Sequence, residues 1–257
     1  MTNRTIAAAV AATASLALSA SASAEDWKWS VTPYIWATDV GVDARVHDQD
    51  LVNVTIPFED LVEDIKFVAQ VRAEAMHGEH GLSLDLFTVS MSDDSGRMPL
   101  PNGSGAELAL DTRIDMTILD VTGVHDAMGD GLGLSWTYGL RLINQHEDID
   151  AQIHNGNIAG PGKHYDANDT YVDALVGVRY THAFSDRWSW RLSADIGTGG
   201  TDLTWSMSPT IGYSFGAQQQ YRVIAGYRYM AIDFKSASDV DMDMTLNGFL
   251  VGFRFAF

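Results

Sequence analysis

The 257-residue chain contains no cysteine. In an exported protein that excludes disulfide stapling and cysteine-ligated metal, and it removes a lipid-modified cysteine as an anchor. No segment after the N-terminus approaches the roughly 18 consecutive apolar residues that a membrane helix needs, so a helical membrane protein is excluded. Prolines number only 6 against 23 glycines, a balance that suits strands and turns better than helices. Positive charge is also scarce: 16 basic residues face 34 acidic ones, a net −18. Such a chain is a very poor partner for nucleic acid. The acidity serves solubility and repulsion between loops, and divalent-cation binding at a charged surface is the sharper reading of it.

What is present begins with MTNRTIAAAVAATASLALSASASAEDW. Arg4 supplies a positive start, Ile6 to Leu18 a short alanine-rich apolar stretch, and Ala22-Ser23-Ala24 a small-x-small cleavage site. This pattern is expected to be a secretory signal peptide over 1–24, leaving 25–257 as one domain. Loss of Arg4 leaves 15 basic against 34 acidic residues, about −19.

Beyond it, apolar residues recur at every second position over long stretches, separated by Gly-, Asp- and Ser-rich breaks. Such stretches are strands with two unlike faces. Ten are expected, over 27–46, 66–77, 81–92, 106–125, 132–150, 168–184, 187–198, 202–215, 219–234 and 240–257. The last ends NGFLVGFRFAF, which puts Phe249, Val251, Phe253, Phe255 and Phe257 on one face, with Gly248, Leu250, Gly252, Arg254 and Ala256 on the other. The segment 58–65, with Leu61, Val62 and Ile65 at helical spacing, is the one helix candidate, a short helix of the first outer loop folded toward the barrel mouth.

The face opposite the apolar one is charged in mid-strand. The second and third strands carry Arg72, Glu74 and Asp85 there, and the fourth carries Arg113 and Asp115 opposite Ile114, Met116 and Ile118. Arg141 follows on the fifth, Asp173 and Arg179 on the sixth, Arg191 and Asp195 on the seventh. Arg222 and Arg228 belong to the ninth and Arg254 to the tenth. On a soluble barrel this face would point outward, and ten strands of Leu, Trp, Tyr and Phe would overfill the interior. Inverted, the charges pair inside and line a lumen while the rings meet lipid.

Two further observations favour a membrane. Several strands exceed ten residues, enough to cross a bilayer tilted. Aromatics gather near strand ends, at Trp27, Trp29, Tyr34, Trp36, Trp188, Trp190, Tyr213, Phe215, Tyr221 and Phe257, as interfacial girdles do. With the N-terminus in the periplasm, the short breaks 78–80, 126–131, 185–186 and 216–218 all fall on the periplasmic side. The other side receives 47–65, 93–105, 151–167, 199–201 and 235–239, three of them long. Short periplasmic turns with longer outer loops are the asymmetry of outer-membrane barrels. The expected fold is therefore all-β: a transmembrane antiparallel up-and-down barrel of about ten strands, within a range of about 8–12.

The final strand resembles the C-terminal signature of bacterial outer-membrane proteins, a terminal aromatic preceded by alternating apolar residues. That resemblance implies recognition of the strand ending at Phe257 by the barrel-assembly machinery. More widely, VTPYIWA, FEDLVEDIKF, YVDALVGVRYTHAFSDRWSWRLSADIG and YRVIAGYRYMAIDF resemble a largely uncharacterised family of bacterial outer-membrane β-barrel proteins, small and OmpW- or porin-like. The resemblance spans most of 25–257 and implies architecture and outer-membrane location, with no catalytic or binding residues to carry over.

For function, the expectation is a non-catalytic integral barrel, structural or a narrow passive pore for ions or small polar solutes. Its partners are outer-membrane lipid and the assembly machinery, not nucleic acid, and it is expected to be a monomer. Arginines outnumber acids in the lumen, so a pore would favour anions; ten strands lie near the filled end of the size range, against a wide porin. A conduit for apolar molecules opening sideways would need an apolar lumen, and this one reads as charged. No cofactor, catalytic residue or metal site is expected. His77-Gly-Glu-His80 is a weak zinc signal, since a site wants three or four ligands. The acidic stretch Gln145–Asp150 lacks EF-hand spacing. The alternative is an outer-membrane hydrolase of lipid or peptide using a rim pair, His125 with Asp126 or His182 with Asp186. No Gly-x-Ser-x-Gly motif supports it.

Overall fold

The computed structural model describes residues 27–46, 49–99, 106–129, 131–155, 158–234 and 240–257. The expected signal peptide lies outside them, as do 100–105 and 235–239 of the outer loops. Eleven strands follow one another: β1 (Trp27–Val46), β2 (Gln49–Ile56), β3 (Ile65–His77), β4 (His80–Pro99), β5 (Ala106–Asp126), β6 (Gly133–Asn155), β7 (Ile158–Ala183), β8 (Trp188–Gly199), β9 (Leu203–Phe215), β10 (Tyr221–Phe234) and β11 (Val240–Ala256). One helical turn, α1 (Phe58–Leu61), lies between β2 and β3.

Every pairing is antiparallel and nearly every neighbour in space is a neighbour in sequence. β11 pairs with β1 from Ser30↔Ala256 to Val46↔Val240, so the sheet closes on itself. Closure leaves no free edge, which is what a sheet needs in lipid. The last bonds of the seam join Trp29 and Phe257 in both directions at 2.9 Å. The barrel proper has ten strands, β1 and β3–β11, as the sequence pattern predicts.

β2 is the extra element. β3 pairs with β1 only over Trp27–Pro33, and β2 pairs with it only over Val40–Val46. Between them, Tyr34–Asp39 has β11 on one side and no backbone ladder on the other. The Gln70 side chain fills part of the break: its Oε1 accepts from Trp36 N at 2.5 Å, and its Nε2 donates to Trp36 O at 3.5 Å. α1 starts where Phe58 N donates to Asp39 Oδ1, 2.8 Å away. Asp39 shares the outward face of β1 with the exposed Ile35, and nothing in α1 is buried. The helix is therefore shorter than the expected 58–65 and lies against the outside of the wall, not in the mouth.

Trp27 and Phe257 share one end of the barrel with the turns at 78–79, 127–129, 184–187 and 216–220. The far end is uneven. β6 and β7 are 23 and 26 residues long, whereas β8 and β9 have 12 and 13. Residues 151–155 and 158–167, expected within a long loop, continue both strands instead, with pairings such as Asp150↔His164 and Ala151↔Lys163. Residues 93–99 likewise extend β4, paired with the start of β5. Beyond lipid a strand has no apolar face to display, so the period-2 signal fades although the ladder does not.

All ten barrel strands expose large apolar side chains outward, among them Ile35, Phe67, Leu84, Val121, Trp136, Val176, Ile196, Met207, Tyr227 and Phe249. On β6 the band runs from Leu134 to Leu142, about 27 Å along the strand at ~3.4 Å per residue and ~20 Å of height at a tilt of ~40–45°. A continuous belt of this kind is far beyond what a soluble monomer exposes. At the terminus end it finishes in aromatics: the Trp27 ring lies 6.1 Å from Trp29, Trp188 4.9 Å from Tyr213 and Phe215 5.6 Å from Tyr221, each pair tilted. Tyr34 and Trp36 do not belong to this girdle. They point into the barrel, 8% and 1% exposed.

Candidate functional site

The interior has two storeys. The far one is apolar. Trp36, Ile143, Met230, Ile232 and Leu246 are at most 2% exposed and pack with Phe87, Met116, Ile118 and Phe234 into one cluster inside the wall. Pairings hold these residues level across neighbouring strands: Ile118 faces Ile143 and Phe87, and Met230 faces Leu246. The expectation of a wholly charged lumen is corrected here. Ten strands enclose little more width than side chains can fill, and these side chains fill it.

Below the apolar storey comes a belt of ion pairs. Arg141, fully buried, donates through Nε and Nη2 to the two Asp120 oxygens at 2.7 and 2.8 Å, and through Nη2 to Asp195 at 2.9 Å. Ser206 donates to the other Asp195 oxygen at 2.6 Å. A two-pronged guanidinium–carboxylate contact of this geometry is the favourable way to keep both charges out of water. Asp85 accepts from Arg72 at 2.6 Å and from the Tyr34 hydroxyl at 2.8 Å, with Arg228 at 3.5 Å. The Arg228 guanidinium also sits 4.8 Å from the centre of the Trp36 ring, a cation–π contact that links the belt to the apolar storey. Arg179 pairs with Glu74, and both reach Ser83. Asp173, fully buried, is capped by Thr201, whose amide and hydroxyl donate to it at 2.9 and 2.7 Å.

The storey at the terminus end is polar and partly empty. A cavity of about 60 Å³ is lined by Thr32, Arg72, Glu74, Ser189, Arg191, Ser193, Ser208, Thr210, Arg222 and Arg254, with Ile224 and Leu250 above. Gly212 also lines it, and a Cβ there would come within 2.9 Å of Arg222 Cδ. Glycine at this point leaves room for the Arg222 chain to lie along β9.

Eleven of the thirteen residues expected to line the lumen face inward: Arg72, Glu74, Asp85, Arg141, Asp173, Arg179, Arg191, Asp195, Arg222, Arg228 and Arg254. Arg113 and Asp115 do not. They pair with each other at 3.1 Å on the outward face of β5, their side chains 60% and 31% exposed, while Met116, Ile118 and Asp120 point inward. Asp120, the principal partner of Arg141, escaped the sequence reading. The signal for it was present: it shares a face with Thr122 and Asp126, both buried.

The rim pairs of the hydrolase alternative have other contacts. Asp126 accepts from the turn amides of Met128 and Gly131 at 3.3 and 2.6 Å. The His125 ring stacks on His80 at 4.8 Å, and His182 packs edge-on to Phe184 at 5.7 Å. His77 is the ladder partner of His80, and its ring lies 5.2 Å from that of Trp27. Two exposed or half-exposed groups bring possible metal ligands within 4.8 Å of one another: Glu79, His80 and His125 at a tight turn, and Asp148, Asp150 and His164 on the β6–β7 extension.

No protein-family model matches the chain, and no curated protein does. Among solved structures it is similar to the translocator domain of the autotransporter NalP from Neisseria meningitidis, 11% identical over 97% of this chain and 96% of that one, with a TM-score of 0.42. It is similar to the outer membrane protease OmpT from Escherichia coli, 10% identical over 91% and 97%, TM-score 0.42. It is also similar to Ail, the attachment invasion locus protein of Yersinia pestis, 10% identical over 90% and 99%, TM-score 0.36. Likenesses this remote say nothing of activity, and the closed ten-stranded barrel rests on its own strand pairing.

Proposed function

We propose that this chain is an integral barrel of a bacterial outer membrane, non-catalytic and structural, with a lumen sealed against conduction. One observation carries the reading: outward apolar side chains on all ten strands surround an interior whose far storey is packed to 0–2% exposure at Ile143, Met230, Ile232 and Leu246. The belt is the surface lipid would cover, and side chains packed in this way favour a closed lumen. In this reading residues 1–24 are a cleaved signal peptide, both termini lie in the periplasm, and the strand ending at the half-exposed Phe257 is what the assembly machinery binds. The barrel is a monomer, and its acidic far end faces outward.

Planar-bilayer recording of the folded protein tests it, with heat-modifiable gel mobility as the check on folding. A folded barrel that stays silent is the expected result. Discrete, reproducible openings would put a passage through the packed storey and overturn the sealed reading. The non-catalytic part is tested separately: lipid or peptide hydrolysis that disappears in His125→Ala or His182→Ala would overturn it.

A further inference from the structure

We infer that the cavity at the terminus end is a binding site for one small tetrahedral oxyanion, of the phosphate or sulfate kind. The inference does not depend on the sealed lumen. Five charged side chains line the cavity, and four of them are arginines. Glu74 is already held by Arg179, and Arg72 by Asp85. The other three have no carboxylate in contact among the described residues. Arg191 donates through Nε to Thr181 Oγ1 at 3.1 Å, and Arg222 through Nε to Ser214 Oγ at 2.9 Å. Those bonds use one donor of each guanidinium and satisfy no charge.

Two atoms make the surplus specific. Arg254 Nε and Arg72 Nε, both on lining residues, are buried and have no hydrogen-bond partner among the described residues. Buried donors on cations are almost always satisfied, so a pair left open beside a cavity marks where an acceptor belongs. The available space suits it: about 60 Å³ is room for roughly four water molecules or one such ion. Guanidinium groups match the paired oxygens of an oxyanion, and the hydroxyls of Ser193 and Ser208 add neutral donors that tolerate its charge.

Access comes from one side. Ser189 and Arg222 are the second residues of β8 and β10, and Arg254 lies close to the end of β11, so the cavity sits just inside the terminus end. The apolar storey blocks the other direction. A lipid headgroup cannot follow, because the lining is the inner face of a closed wall. A free ion is the ligand the geometry admits.

The test is isothermal titration of inorganic phosphate, then sulfate, into the folded protein in detergent micelles at fixed ionic strength. Expected is saturable one-to-one binding, with each ion displacing the other. Arg254→Gln and Arg222→Gln each weaken it about tenfold or more, Arg254→Lys recovers part of the loss, and the outward-facing Arg113→Gln changes nothing. If Arg254→Gln does not fold, Arg222→Gln, nearer the rim, reads the same site. Absence of saturable heat with folded protein would overturn the inference. So would unchanged affinity in the folded arginine variants, or chloride competing as well as sulfate, which would reduce the effect to a counterion atmosphere.

Discussion

The two storeys of the lumen share one wall, one diameter and the same ten strands, yet they solve the interior differently. At the far end Trp36, Phe87, Met116, Ile143, Met230 and Ile232 fill it with apolar volume. At the terminus end, at Ser189, Ser193, Ser208 and Thr210, the lining is of short hydroxylated side chains, and four arginines and Glu74 reach into the remaining space. The ion pairs of Arg141 and Asp85 lie between them. Side-chain length, not strand number, decides which part of a barrel of this size is solid.

The contrast can be broken at several points. The largest effect is expected from Asp120→Ala, which strips a fully buried Arg141 of its two-pronged partner. A loss of about 3–5 kcal/mol should appear in urea unfolding from lipid vesicles, and a loss under ~1 kcal/mol would mean that water reaches Arg141. Next comes Ile232→Ala in the apolar storey, expected to cost about 2–4 kcal/mol through the void it leaves. Combined Ile143→Ala and Met230→Ala should make a barrel proposed to be silent conduct in bilayers, and silence of the variant would put the seal elsewhere. Gln70→Ala removes the amide that bridges the wall at Trp36 and should cost about 1–3 kcal/mol, read in the same unfolding experiment. Smallest is Ser208→Ala beside the cavity, expected within ~0.5 kcal/mol. A cost matching that of Ile232→Ala would erase the difference between storeys.

The storeys also explain where the sequence was legible. On β8, Trp188, Leu192 and Ile196 alternate with Arg191, Ser193 and Asp195, and the structure keeps those faces. On β5 the pattern changes face partway along. Leu119 and Val121 point to the lipid level, but two turns of the pleat further on Met116 and Ile118 point inward and Arg113 and Asp115 outward. The same reversal places Trp36 inside while Asp39 faces out. Period 2 distinguishes two faces and does not say which is inside. Within lipid the outer face must be apolar, whereas above it the outside is wet and the packed interior is apolar, as in a soluble protein. A strand that crosses that level reverses its code without breaking its alternation.

By itself the sequence indicated about ten barrel strands, their antiparallel order, the outward belt and most of the inward charges. Each follows from local alternation and from turns that have few ways to connect neighbouring strands. Tertiary structure alone decided the ion pairs between strands that are not neighbours, since Arg141 on β6 meets Asp195 on β8 and Arg179 on β7 meets Glu74 on β3. It alone decided that the far lumen is packed and that Arg191, Arg222 and Arg254 are left to share a cavity, because closure across the barrel brings together residues that no spacing along the chain relates.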